Sequence, residues 1–274
     1  MGNVCVTFEI LGLNAKAPPD WHKASGHIIF DVKMDFTRKA HWVKDGHKTP
    51  NSTTSSFAGV VSQDSICIAL THAALLGFPV IEANICNAYL QAPSSEKHFI
   101  ICGPEFGIEN EGRVALIWRA LYGGKVEGRD LWHHLRDCIC MGQLGFTSSR
   151  ADPDVWRRLS KRSTGEEYYE YALLYVDDVL VISENAESVL RKEIGQHFVL
   201  RDESIGPPSQ YLGGKLREVT LENGAKAWAF GSCQYVQSAV RNVEDHLAKI
   251  EEKLPYKAPT PLSSGYRPEI DVSP

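Results

Sequence analysis

Tyr168-Tyr169-Glu170-Tyr171-Ala172-Leu173-Leu174-Tyr175-Val176-Asp177-Asp178-Val179-Leu180-Val181-Ile182 reads as two β-strands joined by a tight turn. Aromatic and aliphatic residues fill both arms. Asp177 and Asp178 stand alone between them. Strands disfavour Asp, and adjacent like charges repel unless a cation lies between them. Hard divalent cations such as magnesium take carboxylate oxygens together with substrate phosphates. A two-metal site uses such carboxylates to hold ions about 3.5–4 Å apart. Asp is also common in turns, so a bare Asp-Asp reads as a turn. The apolar flanks on both sides favour the metal reading.

Outward from this hairpin, the pattern alternates short strands with a few helices. His27 to Lys33 and Lys39 to Lys44 read as strands, Thr49 to Ser56 as a Ser/Thr-rich loop. Ser62 suits the cap of a helix through Ile66, Ala69, Leu70, Ala73 and Leu76, ended by Gly77 and Pro79. Phe78 to Ile85 reads as extended. Residues 94 to 113 look loop-rich, with a strand at His98 to Cys102. Val114 to Trp118 reads as a strand and Leu131 to Met141 as a helix. Ser183 suits the cap of a helix carrying Val189, Leu190 and Ile194. Tyr211 to Val219 and Ala227 to Gly231 read as short strands. In the last helix Val236, Val240, Val243, Leu247, Ile250 and Leu254 alternate steps of four and three. That narrow stripe is expected to pack on its own domain rather than pair with a second copy. From Pro255 the tail reads as extended.

Composition narrows the class. The 274 residues are 43% hydrophobic and 23% charged, which excludes a disordered or fibrous chain. Twenty-nine Lys and Arg against 34 Asp and Glu give a net charge of −5, which excludes a globally basic nucleic-acid coat. The longest apolar stretch, Ile66 to Val80, is too short to span a bilayer and carries Thr71 and His72, so no membrane partner is expected. No secretory signal is read at the N-terminus, and Met1 to Val6 fails a myristoylation signal at Val6. Seven cysteines without a paired framework read as reduced thiols, hence an intracellular, cytoplasmic protein.

Several stretches follow one another along the chain: Phe30-Asp31-Val32-Lys33-Met34-Asp35, Arg38-Lys39-Ala40, Val60-Val61-Ser62-Gln63-Asp64-Ser65, Asn87-Ala88-Tyr89-Leu90, Gly103-Pro104-Glu105-Phe106-Gly107, Arg119-Ala120-Leu121-Tyr122-Gly123, Ala151-Asp152-Pro153-Asp154-Val155-Trp156 and Tyr211-Leu212-Gly213. With Asp177 and Asp178, this order resembles the reverse transcriptase domain of copia-type retrotransposons, over nearly the whole chain. The resemblance implies an α+β right-hand polymerase fold with an antiparallel palm sheet, fingers and a partial thumb. It implies an N-terminal extension at 1–26, fingers at 27–78, a palm strand at 79–93, a fingers insertion at 94–125, palm at 126–222, and the thumb start with a connecting tail at 223–274. The implied activity is RNA-directed DNA synthesis with two magnesium ions, manganese being a substitute. The implied partners are an RNA or DNA template with its primer, deoxynucleoside triphosphates, and other modules of a parent polyprotein.

Residue by residue, the resemblance makes Asp177 and Asp178 metal ligands, with Asn84 where the family has a third Asp. Asn keeps a carbonyl oxygen but loses the charge, so weak or absent polymerase activity is expected, with a catalytically inactive remnant as the alternative. A third reading, a metal-free interaction module, rests on the stripe helix alone. Glu82, two residues earlier on the same strand face, is a remote substitute, about 6–7 Å away. Tyr89 matches the aromatic that stacks under the incoming sugar. Arg38, Lys39 and Lys125 match phosphate contacts, and His41 replaces an Arg that would grip triphosphate. Tyr211, Leu212 and Gly213 match the primer grip. Gly124, Val126 and Glu127 depart from the family pattern of Leu and small or polar residues, adding flexibility and charge. Arg150, Arg157, Arg158, Lys161 and Arg162 read as a solvated loop, with template phosphate contact as the other reading.

Overall fold

The computed structural model describes residues 6–32, 38–52, 54–140, 144–211, 214–231 and 233–254. The described chain forms two compact units, Met1–Pro208 with Glu218–Trp228, and Ser209–Arg217 with Ala229–Pro274. The architecture is mixed α and β.

A five-stranded antiparallel sheet organises the first unit. Its strands are β5 (Val80–Asn84), β8 (Thr147–Ser148), β9 (Val155–Lys161), β10 (Glu167–Tyr175) and β11 (Asp178–Ile182), in the order β5-β11-β10-β9-β8. Period-two alternation sends Ala83, Ala172, Leu174, Val179 and Val181 to one face. There they join Leu131, Leu135 and Ile139 of helix α3 (Glu127–Cys140) and Val189, Leu190 and Ile194 in one buried cluster. Helix α1 (Gln63–Leu76) buries Ile66, Ala69, Leu70 and Ala73, and its His72 packs edge-on against Tyr171 of β10. The Ser62 hydroxyl accepts from the Ser65 amide, and Gly77 ends the helix in the left-handed region, both as expected.

A second sheet pairs β1 (Phe8–Ile10), β7 (Val114–Arg119), β6 (Pro93–Ile101) and β2 (His22–Lys23), in that order. The strand expected at His98 to Cys102 therefore begins at Pro93, and residues 94–101 are not loop. β7 pairs with its two ends, through Pro93↔Arg119 and His98↔Ile117, and the register shifts between them. Strands β3 (Gly26–Val32) and β4 (Arg38–Lys44) form a separate hairpin whose residues 33–37 lie outside the described residues. A three-stranded sheet follows, in which β12 (Gln210–Tyr211) pairs with the start of β13 (Gly214–Thr220), and β14 (Lys226–Gly231) lies beside β13.

Four expectations need correction. Helix α3 starts at Glu127, four residues before Leu131, and the expected end, Met141, lies outside the described residues. Ser183 does not cap a regular helix. Its hydroxyl donates to Glu170 and accepts from the Asn185 amide, and the chain continues as a short α turn (α4, Ala186–Ser188), a π turn and a 3-10 turn. Arg158 is not a solvated loop residue: it lies in β9, and Glu170 and Glu193 both accept from its guanidinium. The stripe of helix α5 (Cys233–Ala248) is uncovered among the described residues, with Val236, Val240 and Val243 about half exposed. The helix stops at Ala248, and Glu251 turns left-handed, so Ile250 and Leu254 lie beyond it. The expected tail from Pro255 lies outside the described residues. Among the described residues no helix is long and apolar enough to cross a membrane.

Candidate active site

Tyr175 and Asp178 pair directly, so Val176 and Asp177 form a two-residue turn. Val176 has φ +54°, a region that β-branched side chains rarely enter. Such strain, of order 1–3 kcal/mol, persists only where the surroundings enforce it. The Ile85 amide donates to the Asp177 carbonyl at 2.7 Å, fixing the turn to the end of β5.

Register places Asn84 of β5 opposite Asp178 of β11. The Asn84 side-chain amide donates to Asp178 Oδ1 at 2.9 Å and to Asp177 Oδ2 at 3.3 Å. One neutral NH2 group thus bridges both carboxylates, the position a cation needs. The Asn84 backbone is held as well, its N–H by the Ser204 hydroxyl and its carbonyl by the Arg201 amide. Burial, then repulsion from Asp177, pushes the Asp178 carboxyl above its ordinary range against the Asn84 hydrogen bond and the charge of Arg201.

This donor set does not match a pair of divalent ions. Among the described residues no group of three His, Cys, Asp or Glu side chains is placed to hold a metal. Two carboxylates and one amide remain, a set with one charge fewer than three acids, to which Asn84 contributes only if its amide turns the oxygen inward. Glu82 does not complete the set. It pairs with Leu180, two positions down the ladder, and exchanges both backbone hydrogen bonds with Gly206.

An aromatic wall adjoins the acids. Tyr89 sits on a single helical turn, α2 (Ala88–Gln91), entered through left-handed Asn87. Its ring packs on Tyr122 at 4.6 Å between centroids, and His41 of β4 meets Tyr122 edge-on at 5.2 Å. Burial, then the charge of Asp177, raises both Tyr89 and Tyr122 hydroxyls above their usual range. Tyr122 therefore lies between Tyr89 and His41, and both tyrosines lie within electrostatic reach of Asp177. Tyr122 and Arg201 belong to the same neighbourhood, and the sequence alone assigns them no role. Tyr122 lies inside one of the family-like stretches, whereas no local signal marks Arg201.

The other phosphate candidates separate. Arg38 and Lys39 are exposed on β4, Lys39 opposite Asp31. Lys125 is engaged elsewhere, because its ammonium donates to the carbonyls of Thr49 and Pro50 and to Asn51 Oδ1, tying down the Ser/Thr-rich loop. Glu127 adds no exposed charge, being buried against Lys44. Gly124 keeps a negative φ and does not act as a flexible joint. A Cβ there would sit 2.2 Å from Glu127 Cγ, so the glycine makes room for the glutamate. Tyr211 is buried in β12, and Leu212 and Gly213 lie outside the described residues.

Residues 16–247 match the family described as "Reverse transcriptase (RNA-dependent DNA polymerase)". The retrovirus-related Pol polyprotein from transposon RE1 of Arabidopsis thaliana is 26% identical over 151 residues, covering 54% of this chain and 10% of that polyprotein. The chain thus matches about a tenth of the length of this curated relative. An acid-bearing antiparallel hairpin, its partner strand, and a family match over most of the chain lead to one assignment: the chain belongs to the reverse transcriptase (RNA-dependent DNA polymerase) family.

Proposed function

We propose that this chain is the reverse transcriptase domain of a retrotransposon Pol polyprotein whose polymerisation centre is impaired at Asn84. The five-stranded sheet corresponds to the palm, at 79–93 and 126–222. The β3–β4 hairpin, with β6 and β7, corresponds to fingers, at 27–78 and 94–125, the 1–26 extension adds β1 and β2 to the β6–β7 sheet, and residues 223–274 correspond to the thumb start and connecting tail. The Asn84 amide bonded to both Asp177 and Asp178 carries the reading. It supports reading Asp177 and Asp178 as the acid pair and Asn84 as the residue that weakens it.

A bound divalent cation supplies charge neutralisation for the transferring phosphate and activation of a primer hydroxyl. The chain's own groups do the rest. Asp177 and Asp178 would hold that cation. The Tyr89–Tyr122 wall supports the sugar of an incoming deoxynucleotide, His41 approaches its phosphates, and Tyr211, Leu212 and Gly213 hold the primer end. His41 is mostly neutral at pH 7, so it holds phosphate more weakly than an arginine.

Primer extension on an RNA template, with magnesium and then manganese, tests the reading. Extension by Asn84→Asp alone supports a polymerase silenced at one ligand. Extension by both forms contradicts the role given to Asn84. Folded proteins that both fail to extend favour the inactive remnant, which retains the fold and weak template-primer binding.

A further inference from the structure

Lys44 is a fully buried lysine at the end of β4. Its ammonium donates to Glu127 at the start of α3 and lies 3.4 Å from His98 Nδ1 and 3.9 Å from Glu96. Glu127 is equally buried, and its second oxygen has no partner among the described residues. His98 is a neutral neighbour of the pair, because burial and then the Lys44 charge lower its pKa to about 4. Lys44 and Glu127 therefore depend on each other.

The same two residues bracket the segment that carries Tyr122. The Lys44 amide donates to the Tyr122 carbonyl at 2.8 Å and the Gly46 amide to the Gly123 carbonyl at 3.1 Å. Gly123 has φ +86°, and a Cβ there would lie 2.3 Å from the Lys44 carbonyl oxygen, so the two backbones are in closest approach. Four residues beyond, Glu127 returns to the Lys44 ammonium. Residues 122–127 are thus pinned at one end by the Lys44 backbone and at the other by its side chain.

We propose that Lys44 and Glu127 are a positioning pair that fixes this segment and sets the Tyr122 ring against Tyr89, so that nucleotide affinity depends on the pair rather than on either charge. The proposal rests on the reading of the Tyr89–Tyr122 wall as the nucleotide site. Removing one partner strands a buried charge, whereas replacing both by apolar residues of similar volume is tolerated.

The test compares Lys44→Met, Glu127→Leu, the double variant and the exchanged pair Lys44→Glu/Glu127→Lys. Two quantities are read on the full chain: amide hydrogen exchange at residues 121–126 without ligand, and binding of a fluorescent deoxynucleoside triphosphate with template-primer present. Each single variant should speed exchange there and weaken nucleotide binding about tenfold, while template-primer affinity holds. The double variant should return both to near wild type. Unchanged exchange in both single variants overturns the proposal, as does a double variant that loses as much as the singles combined. If the single variants do not fold, a folded double variant with wild-type exchange supports the pair, and an unfolded one overturns it. A wild-type chain that binds no nucleotide, yet shows the expected exchange pattern, fails the nucleotide-site reading and supports the pair's hold on the segment.

Discussion

Asn84 and Asp178 face each other across the β5–β11 ladder, and the Asn84 amide nitrogen lies 2.9 Å from Asp178 Oδ1. The contact makes a neutral donor do part of what a cation would do. It steadies two carboxylates that would otherwise repel, and it occupies the space between them.

Replacing Asn84 by Asp turns this donor into a third acid. Without divalent ions, Asn84→Asp is expected to lose about 1–3 kcal/mol of stability through like-charge repulsion. Manganese should restore that loss, since ligand binding to the folded state raises stability. Thermal melts in chelator and in manganese check it. Equal melting of both proteins in chelator contradicts the repulsion.

Asp178 itself costs stability at neutral pH. Its folded pKa is raised by burial and by Asp177, so the folded state retains that proton more strongly than the unfolded chain. The associated stability is present at low pH and lost as pH rises through the folded pKa. Asp178→Asn is therefore expected to stabilise the fold at pH 7. The gain should fade below the ordinary carboxylate range, as denaturant titrations at pH 7 and pH 3 would show. A gain that persists at pH 3 contradicts the charge argument.

Val176 holds a positive φ that glycine adopts freely. Val176→Gly should relieve the turn and raise stability by about 1 kcal/mol, after the entropic cost of glycine is subtracted. Loss of stability on this substitution would show that Val176 packing outweighs its backbone strain.

His98 should dominate a mild acid sensitivity. Its pKa is lowered from 6.5 to about 4, so the unfolded chain binds the proton first. Stability is complete above pH 6.5 and declines as pH falls through 4, by about 3 kcal/mol at most. His98→Gln should flatten the stability profile across that window. An unchanged slope would assign the decline to other groups.

Arg158 separates structure from nucleic-acid contact. Its guanidinium pairs with buried Glu170 and with Glu193. Arg158→Met should cost about 3–5 kcal/mol because Glu170 is left charged and buried. Template-primer affinity of the folded fraction should not change. A selective loss of affinity with normal stability would return Arg158 to the template surface.

The hairpin is legible in the sequence because an apolar run broken only by two adjacent acids fits two strands and a tight turn, and β10 and β11 end within a residue of the expected bounds. The position of Asn84 is legible through the family resemblance, which aligns its strand with the acids. The direction of its hydrogen bonds is not, because it depends on a register between strands 94 residues apart. Glu127 is illegible for a similar reason. Its partner Lys44 is 83 residues away, and no local pattern distinguishes a buried ion pair from a solvated glutamate. Arg158 reads as one of several loop cations because Glu170 and Glu193 face it only after β9 and β10 pair. The stripe of α5 is plain from its spacing, but periodicity marks an apolar face without stating what covers it.

Manganese titration of the wild-type chain and of Asn84→Asp, followed by the loss of the free-ion electron paramagnetic resonance signal, tests the central claim most directly. The account predicts weak binding of at most one ion by the wild type. It predicts at least about hundredfold tighter binding by the variant, equivalent to ~2.7 kcal/mol. Equal affinities would show that the Asn84 amide does not stand in the cation's place, and the assignment of Asn84 as the impairing residue would be wrong.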